Sequence, residues 1–329
     1  MPSGTRSTVG IALAANLVIA VAKVAAGAIT GSAAMLAEAA HSVADTLNQL
    51  ILLASLRLGR RPPDSEHQFG HGKERFLWAF VAAVTIFVSG AGFSVAEGIY
   101  VIHTGGAGDV SFTVGYAVLA VALAAESTSL MRAIRQLRGG AEGSGLGFLR
   151  FVRESRDPTP KVVLLEDAAA VTGILLAFAG MGLRQATGSV AWDGAASIAI
   201  GTLLAAVAVA IGTDSRGLLL GEAARPDIRA ALERAAESHR DIESVTDLRT
   251  MHVGPHELLV AARVEMRDEL RIPEAERLAQ AITDRLREVE PAVKHVFLHP
   301  TPGRGHDRLR QHVDGAADQR HVEDAADRR

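Results

Sequence analysis

The apolar run Ser32–Leu58 carries four polar side chains at the spacing of one helix face. The run exceeds the roughly 20 residues that a helix needs to cross a bilayer. Its polar residues are Glu38, His41, Asp45 and Asn48, and steps of three and four residues align them along one stripe of a helix. A charge in hydrocarbon is costly without a partner or an ion. We therefore expect a membrane-spanning helix whose polar stripe is functional, rather than one that only packs against another helix.

Two residues of this stripe are typical of half of a divalent metal site. His41 and Asp45 are one helical turn apart and offer a nitrogen and an oxygen ligand. The other half must come from another helix, and the best candidate is Asp167, which has Glu166 beside it in a second apolar run. Neighbouring residues of a helix point about 100° apart, so both carboxylates cannot face one ion squarely. The spacing predicts a site of His41, Asp45 and Asp167.

The sequence leaves the fourth ligand of this transport site open. Zinc usually takes four ligands in a tetrahedron. Glu166, Asn48 and water are the alternatives. Glu166 could equally face the cytoplasmic loop or pair with Lys161, outside the site.

Six apolar segments have the length of membrane-spanning helices. They are Val9–Ile29, Ser32–Leu58, Phe76–His103, Phe112–Leu137, Lys161–Leu183 and Trp192–Thr213. Glycine-rich breaks at 105–108 and 139–147 separate the third, fourth and fifth segments. Alanine and glycine are abundant, and such small residues let membrane helices pack closely. The stretch before the first segment is too short for a signal peptide, so we expect that segment to stay in the protein.

Basic residues are concentrated in the loops after the second and fourth segments. They are Arg57, Arg60, Arg61, Lys73 and Arg75 in the first of these loops, and Arg132, Arg135, Arg138, Arg150, Arg153, Arg156 and Lys161 in the other. The opposite loops are nearly free of Lys and Arg, with Arg184 as the exception. By the positive-inside rule, both termini are expected in the cytoplasm, with the protein in the cell membrane.

Beyond residue 221 the pattern is that of a soluble domain. The predicted elements are helix Pro226–His239, strands Val245–Val253 and Leu258–Met266, helix Pro273–Val289 and strand His295–His299. This α-β-β-α-β order predicts a small α+β domain at 222–302, after a membrane domain at 1–221. Residues 303–329 are charged and poor in apolar side chains, which predicts a disordered tail.

Composition excludes several other classes of function. The chain has no cysteine, which excludes disulfides, thiolate metal sites and iron–sulfur clusters. Its net charge of −3 lacks the basic excess typical of nucleic-acid binding, so we expect no nucleic-acid partner.

Within the membrane segments, Lys23 is expected to snorkel or to pair with a carboxylate. Glu126 is expected to pair across a helix interface or to relay protons.

The loop after the second segment contains a further group of metal-ligating residue types. Asp64, Glu66, His67 and His71 lie within it, and two histidines with a carboxylate are plausible zinc ligands. The spacing alone is a weak signal, because surface histidines are common.

The chain resembles the cation diffusion facilitator family, which includes the eukaryotic zinc transporters. The resemblance covers Val9 to Pro302 and rests on Gly31-Ser32 leading into LAEAAHSVAD, on HQFGHGKERFLWA at His67–Ala79, on Asp167, and on the run from Trp192 through LLLGEAA. It implies an α-helical membrane protein with six transmembrane helices followed by a cytoplasmic α+β ferredoxin-like domain. It also implies a homodimer that exchanges zinc, or a similar ion, for protons, without enzymatic activity or cofactor.

The resemblance assigns transport-site residues one by one. His41 and Asp45 match the family's two ligands on the second helix, and Asp167 matches the later of its two ligands on the fifth. The earlier position is Val163 in this chain. The sequence LLEDAA is similar to that of a mitochondrial zinc-transporter subgroup with an altered fifth-helix motif. The fourth ligand and the metal selectivity therefore stay open.

The resemblance also bears on two further sites. Asp64, His67 and His71 match a loop site that some members of the family have. The family's binuclear site in the cytoplasmic domain matches poorly, although His299 sits at one of its ligand positions. We therefore expect the cytoplasmic domain chiefly to dimerise.

The sequence thus predicts a divalent cation efflux transporter, for Zn²⁺ or a neighbouring ion, that works as a metal/proton antiporter. Metal binding requires deprotonated ligands, so metal and protons compete for one site. One alternative is a non-transporting metal-sensing membrane protein, suggested by Val163 at a ligand position. The other is a passive divalent-cation channel, which needs a continuous polar pore.

Overall fold

A computed structural model of the chain describes residues 3–105, 111–145, 147–154, 158–267 and 269–301. The chain divides into two compact units, Met1–Leu220 and Gly221–Arg329. The described part of the first unit is helical, and that of the second contains a three-stranded sheet. The predicted tail, 303–329, lies outside the described residues.

The described part of the first unit consists of α-helices and one π-helical segment. The α-helices are α1 Ser3–Thr30, α2 Ala33–Leu58, α3 Glu74–Thr85, α4 Phe93–Thr104, α5 Phe112–Ser144, α6 Phe148–Glu154, α7 Pro158–Thr187 and α8 Ala191–Leu219. A π-helical segment, Ile86–Gly92, connects α3 to α4, where the sequence predicts one regular helix. Because a π turn inserts an extra residue into the hydrogen-bond ladder, apolar periodicity does not predict it.

Four helical stretches among the described residues are long and apolar enough to cross a membrane. They are Glu74–Thr104, Phe112–Gly143, Pro160–Thr187 and Ala191–Leu219, and Asn16–Thr30 is a shorter apolar helix. The helix α2 has 26 residues, but its polar stripe lowers its hydropathy. The prediction of a helical membrane domain is confirmed.

Small residues bring α4 and α8 into close contact. A Cβ atom on Gly98 would lie 2.6 Å from the carbonyl oxygen of Gly194. One turn away, Ser197 Oγ donates a hydrogen bond of 2.7 Å to the carbonyl oxygen of Ser94. Backbone approach through small residues and hydroxyl bonds across the interface is how membrane helices associate without a hydrophobic driving force.

The helix break predicted at residues 139–147 begins later in the chain than expected. The helix α5 continues through Gly139 and Gly140 and ends at Ser144, where Gly145 caps it with a φ of +68°. The Phe151 ring packs against Gly140. Glycine weakens a helix without forbidding it, and the left-handed cap falls on the glycine that the helix end requires.

The second unit follows the predicted α-β-β-α-β order. Its elements are α9 Pro226–Glu237, β1 Ile242–Gly254, β2 Glu257–Met266, α10 Ile272–Val289 and β3 Val293–Thr301. The sheet order is β1-β2-β3, with β1–β2 antiparallel and β2–β3 parallel. Leu232, Val260 and Leu286 belong to its buried core, because the apolar faces of both helices pack on one side of the sheet.

Candidate metal site

The polar stripe of α2 faces the interior of the helical unit. Glu38, His41, Asp45 and Asn48 are 0%, 4%, 9% and 0% exposed. The Nε2 atom of His41 is buried and has no hydrogen-bond partner among the described residues. A neutral imidazole that carries no proton on Nε2 can bind a cation through that nitrogen.

A carboxylate of α7 meets this stripe. The Asn48 side-chain amide donates a hydrogen bond to Glu166 Oε1. The carboxyl groups of Asp45 and Glu166 also lie within hydrogen-bonding distance of each other. Two ionised carboxylates at close range repel each other, and a proton or a cation between them relieves this repulsion.

The adjacent carboxylate of α7 points to a different neighbour. Asp167 Oδ2 accepts a hydrogen bond of 2.8 Å from Ser129 Oγ on α5. The sequence favours Asp167 as the α7 carboxylate closest to the stripe, whereas Glu166 makes the direct contacts with α2 in the structure. Asp167 still lies close enough to Asp45 for their charges to interact. The divergence follows from the turn of about 100° between neighbouring helix residues.

Lys161 and Val163 of α7 have other neighbours in the structure. Lys161 Nζ lies 3.0 Å from Asp214 on α8, whereas Glu166 lies against Asn48 of α2. Val163 is partly buried and packs against the apolar core. Its side chain has no atom that can bind a metal, so Glu166 and Asp167 are the candidate side-chain ligands on α7.

The candidate ligands of the interior site lie near one another but do not converge on one point in this conformation. Within the described ranges, the one group of three His, Cys, Asp or Glu residues whose ligand atoms all lie within 4.8 Å is Asp64, His67 and His71. Binding of one ion by His41, Asp45, Glu166 and Asp167 therefore requires their side chains to converge.

The predicted loop site is assembled between α2 and α3. His71 Nε2 lies 3.0 Å from Asp64 Oδ2, and His67 Nδ1 lies 3.4 Å from Asp64 Oδ1. The two imidazole rings are 4.3 Å apart. The backbone N–H of His67 and the His71 side chain hold the pKa of Asp64 at about 2. The carboxylate is thus ionised at neutral pH and lies beside both imidazole rings.

Two further predicted polar groups lie near the interior site. Lys23 pairs with Glu38 at 3.1 Å, which confirms the expectation of a carboxylate partner. Glu126 of α5 is buried, and its charge interacts with Asp45 and Asp167. In the second unit, His299 stands opposite Arg263 in the β2–β3 ladder.

Sequence reasoning missed the role of Asp193 at the start of α8. This buried carboxylate accepts hydrogen bonds from Ser32 Oγ at 2.6 Å and from the backbone N–H of Ala33 at 2.7 Å. Arg184 Nη1 lies 3.1 Å from Asp193 Oδ2, the oxygen that also accepts from Ala33. Asp193 therefore caps the N-terminus of α2, where a negative charge is favoured by the helix dipole. An acidic residue next to Trp192 in an apolar run was the available signal.

Comparison with known proteins gives two family matches. The cation efflux transmembrane domain matches residues 9–220, and the cytoplasmic domain of cation efflux proteins matches residues 224–303. Together these matches span both units of the fold.

Individual relatives agree with these matches. The mitochondrial proton-coupled zinc antiporter SLC30A9 of Xenopus laevis is 35% identical over 74% of this chain and 43% of its own length. Metal tolerance protein C4 of Arabidopsis thaliana is 30% identical over 73% of this chain and 52% of its own length. The manganese efflux system protein MneP of Bacillus subtilis is 23% identical over 91% of this chain and 96% of its own length. The chain spans about half the length of the first two relatives.

Proposed function

The chain belongs to the cation efflux family of integral membrane proteins, and we propose that it exports Zn²⁺, or a neighbouring divalent ion, in exchange for protons. The observation that carries this proposal is the contact between the buried stripe of α2 and the carboxylates of α7. His41, Asp45, Glu166 and Asp167 offer one imidazole and three carboxylates in the interior of a membrane domain. Polar groups in such a position are functional by default.

Glu166 is the proposed fourth ligand, in place of the missing one at Val163. It already contacts both Asp45 and Asn48 of α2, so it needs no unwinding of α7 to approach the site. Asp167 reaches the same ion when its side chain leaves Ser129. A charged carboxylate gains more from a divalent ion in a low-dielectric interior than the neutral amide of Asn48 does.

Proton exchange follows from the Asp45–Glu166 contact. In the metal-free protein a proton between the two carboxyl groups removes their repulsion. A divalent ion removes it too, so loading the metal expels the proton. Alternating exposure of this site to the two sides of the membrane then couples metal efflux to proton entry.

Asp64, His67 and His71 form the proposed accessory metal site. Asp64 and His67 are about half exposed, so this site exchanges ions with the solvent more readily than the interior site does. We assign this loop site a role in delivering metal to the interior site rather than in translocation itself.

The proposed architecture has six membrane spans, with α1 and α2 completing the four apolar helices. The second unit is the proposed ferredoxin-like dimerisation domain. Both termini are proposed to lie in the cytoplasm, because the basic loops are those after α2 and α5. The cell membrane is the proposed location.

Flux into proteoliposomes tests the proposed function directly. An antiporter accumulates Zn²⁺ when a pH gradient is imposed and moves protons in the opposite direction. A passive channel conducts Zn²⁺ without coupling to protons, and a sensor binds it without flux. Competition by Cd²⁺, Mn²⁺, Fe²⁺ and Co²⁺ in the same assay identifies the preferred ion. Zn²⁺ flux that is indifferent to the pH gradient contradicts the antiport proposal.

A further inference from the structure

A buried ion pair lies beside the proposed metal ligands of α2. The Lys23 ammonium of α1 is fully buried and lies 3.1 Å from Glu38 Oε2. It also donates a hydrogen bond of 2.8 Å to Ser42 Oγ. Ser42 follows His41 directly and lies one turn before Asp45. The positive charge is therefore within a helical turn of two proposed ligands.

Lys23 stands among several buried acidic groups. In the described part of the helical unit these are Glu38, Asp45, Glu126, Glu166, Asp167 and Asp193, and the buried cations are Lys23 and Arg184. Arg184 pairs with Asp193 at the start of α2. The Lys23 charge acts on Asp45 and Glu126 as well as on Glu38. An ammonium group on a flexible four-carbon stem is a cation that these carboxylates can bind in place of a metal.

The Glu38 carboxylate packs against α7. Its Oε1 atom lies against Gly173, where a Cβ atom would overlap it. A side chain at residue 173 would therefore displace this carboxylate. With glycine there, the Lys23 ammonium is bound by both Glu38 and Ser42.

We propose that Glu38 is a positioning residue that keeps the Lys23 ammonium away from Asp45 and the α7 carboxylates. Without Glu38, Lys23 turns to those carboxylates and competes with the divalent ion as an internal cation. This inference rests on the proposed function, because it assumes that the interior site binds the metal.

Zn²⁺ affinity in four proteins tests the idea. They are the parent, Glu38→Gln, Lys23→Gln and the double variant, each as the full chain in detergent and each carrying His67→Ala and His71→Ala to remove the loop site. Glu38→Gln should raise the Zn²⁺ dissociation constant about tenfold or more, because a unit charge near the site acts at low dielectric. Adding Lys23→Gln should return the affinity to within about threefold of the parent.

A purely structural ion pair gives a different result. In that case the double variant binds Zn²⁺ as weakly as Glu38→Gln, and the proposal is overturned. Thermal melting of every variant separates loss of folding from loss of affinity. The double variant is the one most expected to fold, since replacing a whole buried ion pair is tolerated better than breaking it.

If Glu38→Gln does not fold, Gly173→Ala is the alternative variant that separates Glu38 from Lys23. The added methyl group displaces the Glu38 carboxylate from α7 and releases Lys23. The affinity should fall as in Glu38→Gln and recover when Lys23→Gln is added. Weak binding that Lys23→Gln does not restore overturns the proposal.

The second buried ion pair provides a matched control. Asp193 lies at the N-terminus of α2, about 12 Å along the helix from His41. Asp193→Asn should lower the melting temperature while the Zn²⁺ dissociation constant stays within about twofold of the parent. A parent protein that neither binds nor transports Zn²⁺ contradicts the proposed function and this inference together. Normal binding by the parent without rescue by Lys23→Gln contradicts only the inference.

Discussion

Asn48 of α2 donates a hydrogen bond to Glu166 of α7, and this bond joins the two helices that carry the proposed metal ligands. The amide lies on the same stripe as Asp45, which is also within hydrogen-bonding distance of Glu166. Glu166 is therefore oriented toward α2 by two partners. The adjacent Asp167 is oriented toward α5 by Ser129.

Removing the amide tests how much this orientation matters. Asn48→Ala should weaken Zn²⁺ affinity several-fold, because Glu166 loses a partner but keeps its charge. It should cost about 1 kcal/mol of stability through the lost hydrogen bond. Gln49→Ala, at the next and only partly buried position, is the control and should leave both unchanged. Calorimetric titration and thermal melting measure the two effects. Equal affinities in the parent and Asn48→Ala contradict the role given to the amide.

His41 should determine which ion is preferred. Its Nε2 atom is buried and unpartnered among the residues described, and imidazole suits zinc better than it suits the harder ions. His41→Asp should shift the preference from Zn²⁺ toward Mn²⁺, which is a harder ion, or toward the larger Cd²⁺, which accepts a looser geometry. Competitive uptake by parent and variant measures the shift. An unchanged order of preference means that His41 is not a ligand.

The loop site should accelerate transport without being essential to it. The double substitution of His67 and His71 by alanine should slow Zn²⁺ uptake, while the interior site still carries the ion. Uptake by this variant at about a tenth of the parent rate or more agrees with the assignment. Complete loss in a well-folded variant contradicts it.

The pH dependence of the loop site has a defined sign. Backbone and side-chain hydrogen bonds hold the pKa of Asp64 at about 2, below its ordinary value of about 3.9. The carboxylate therefore keeps its charge as the pH falls to about 4. Protonation of Asp64 therefore does not remove metal from the loop site between neutral pH and about pH 4. In a variant that lacks the interior site, Asp64→Asn should weaken Zn²⁺ binding by a similar factor at about pH 7 and at about pH 5. A factor that differs strongly between the two pH values contradicts the constant charge of Asp64.

Glycine packing between α4 and α8 should set the stability of the helical unit. Gly98→Ala places a Cβ atom 2.6 Å from the Gly194 carbonyl oxygen, and such overpacking costs about 2 kcal/mol. Gly212→Ala is the control, because its Cβ meets only Ala83 at 3.7 Å, and the better helix propensity of alanine is worth up to about 1 kcal/mol. Melting temperatures in detergent should fall in the first variant and stay level or rise in the second. Equal melting temperatures contradict the packing argument.

The sequence predicts the parts of this protein better than their contacts. Long apolar segments and alternating strand patterns predict which elements occur and in what order, because each depends on local chemistry. The partner of Lys23 and the rotation that turns Glu166 toward Asn48 depend on how two helices pack, which periodicity does not specify. Asp193 illustrates the same limit, since it caps α2 from a position 161 residues beyond Ser32.

The most direct test of the account is the initial rate of Zn²⁺ uptake into proteoliposomes under an imposed pH gradient, for Asp45→Ala, Glu166→Gln and Asp167→Ala. Glu97→Gln, a partly buried acid on α4, serves as the control. Background uptake is expected for the first three variants and the parent rate for the control, with all four proteins folded and inserted. Uptake at the parent rate by Asp167→Ala or Glu166→Gln would contradict the claim that α2 and α7 hold the transported ion between them.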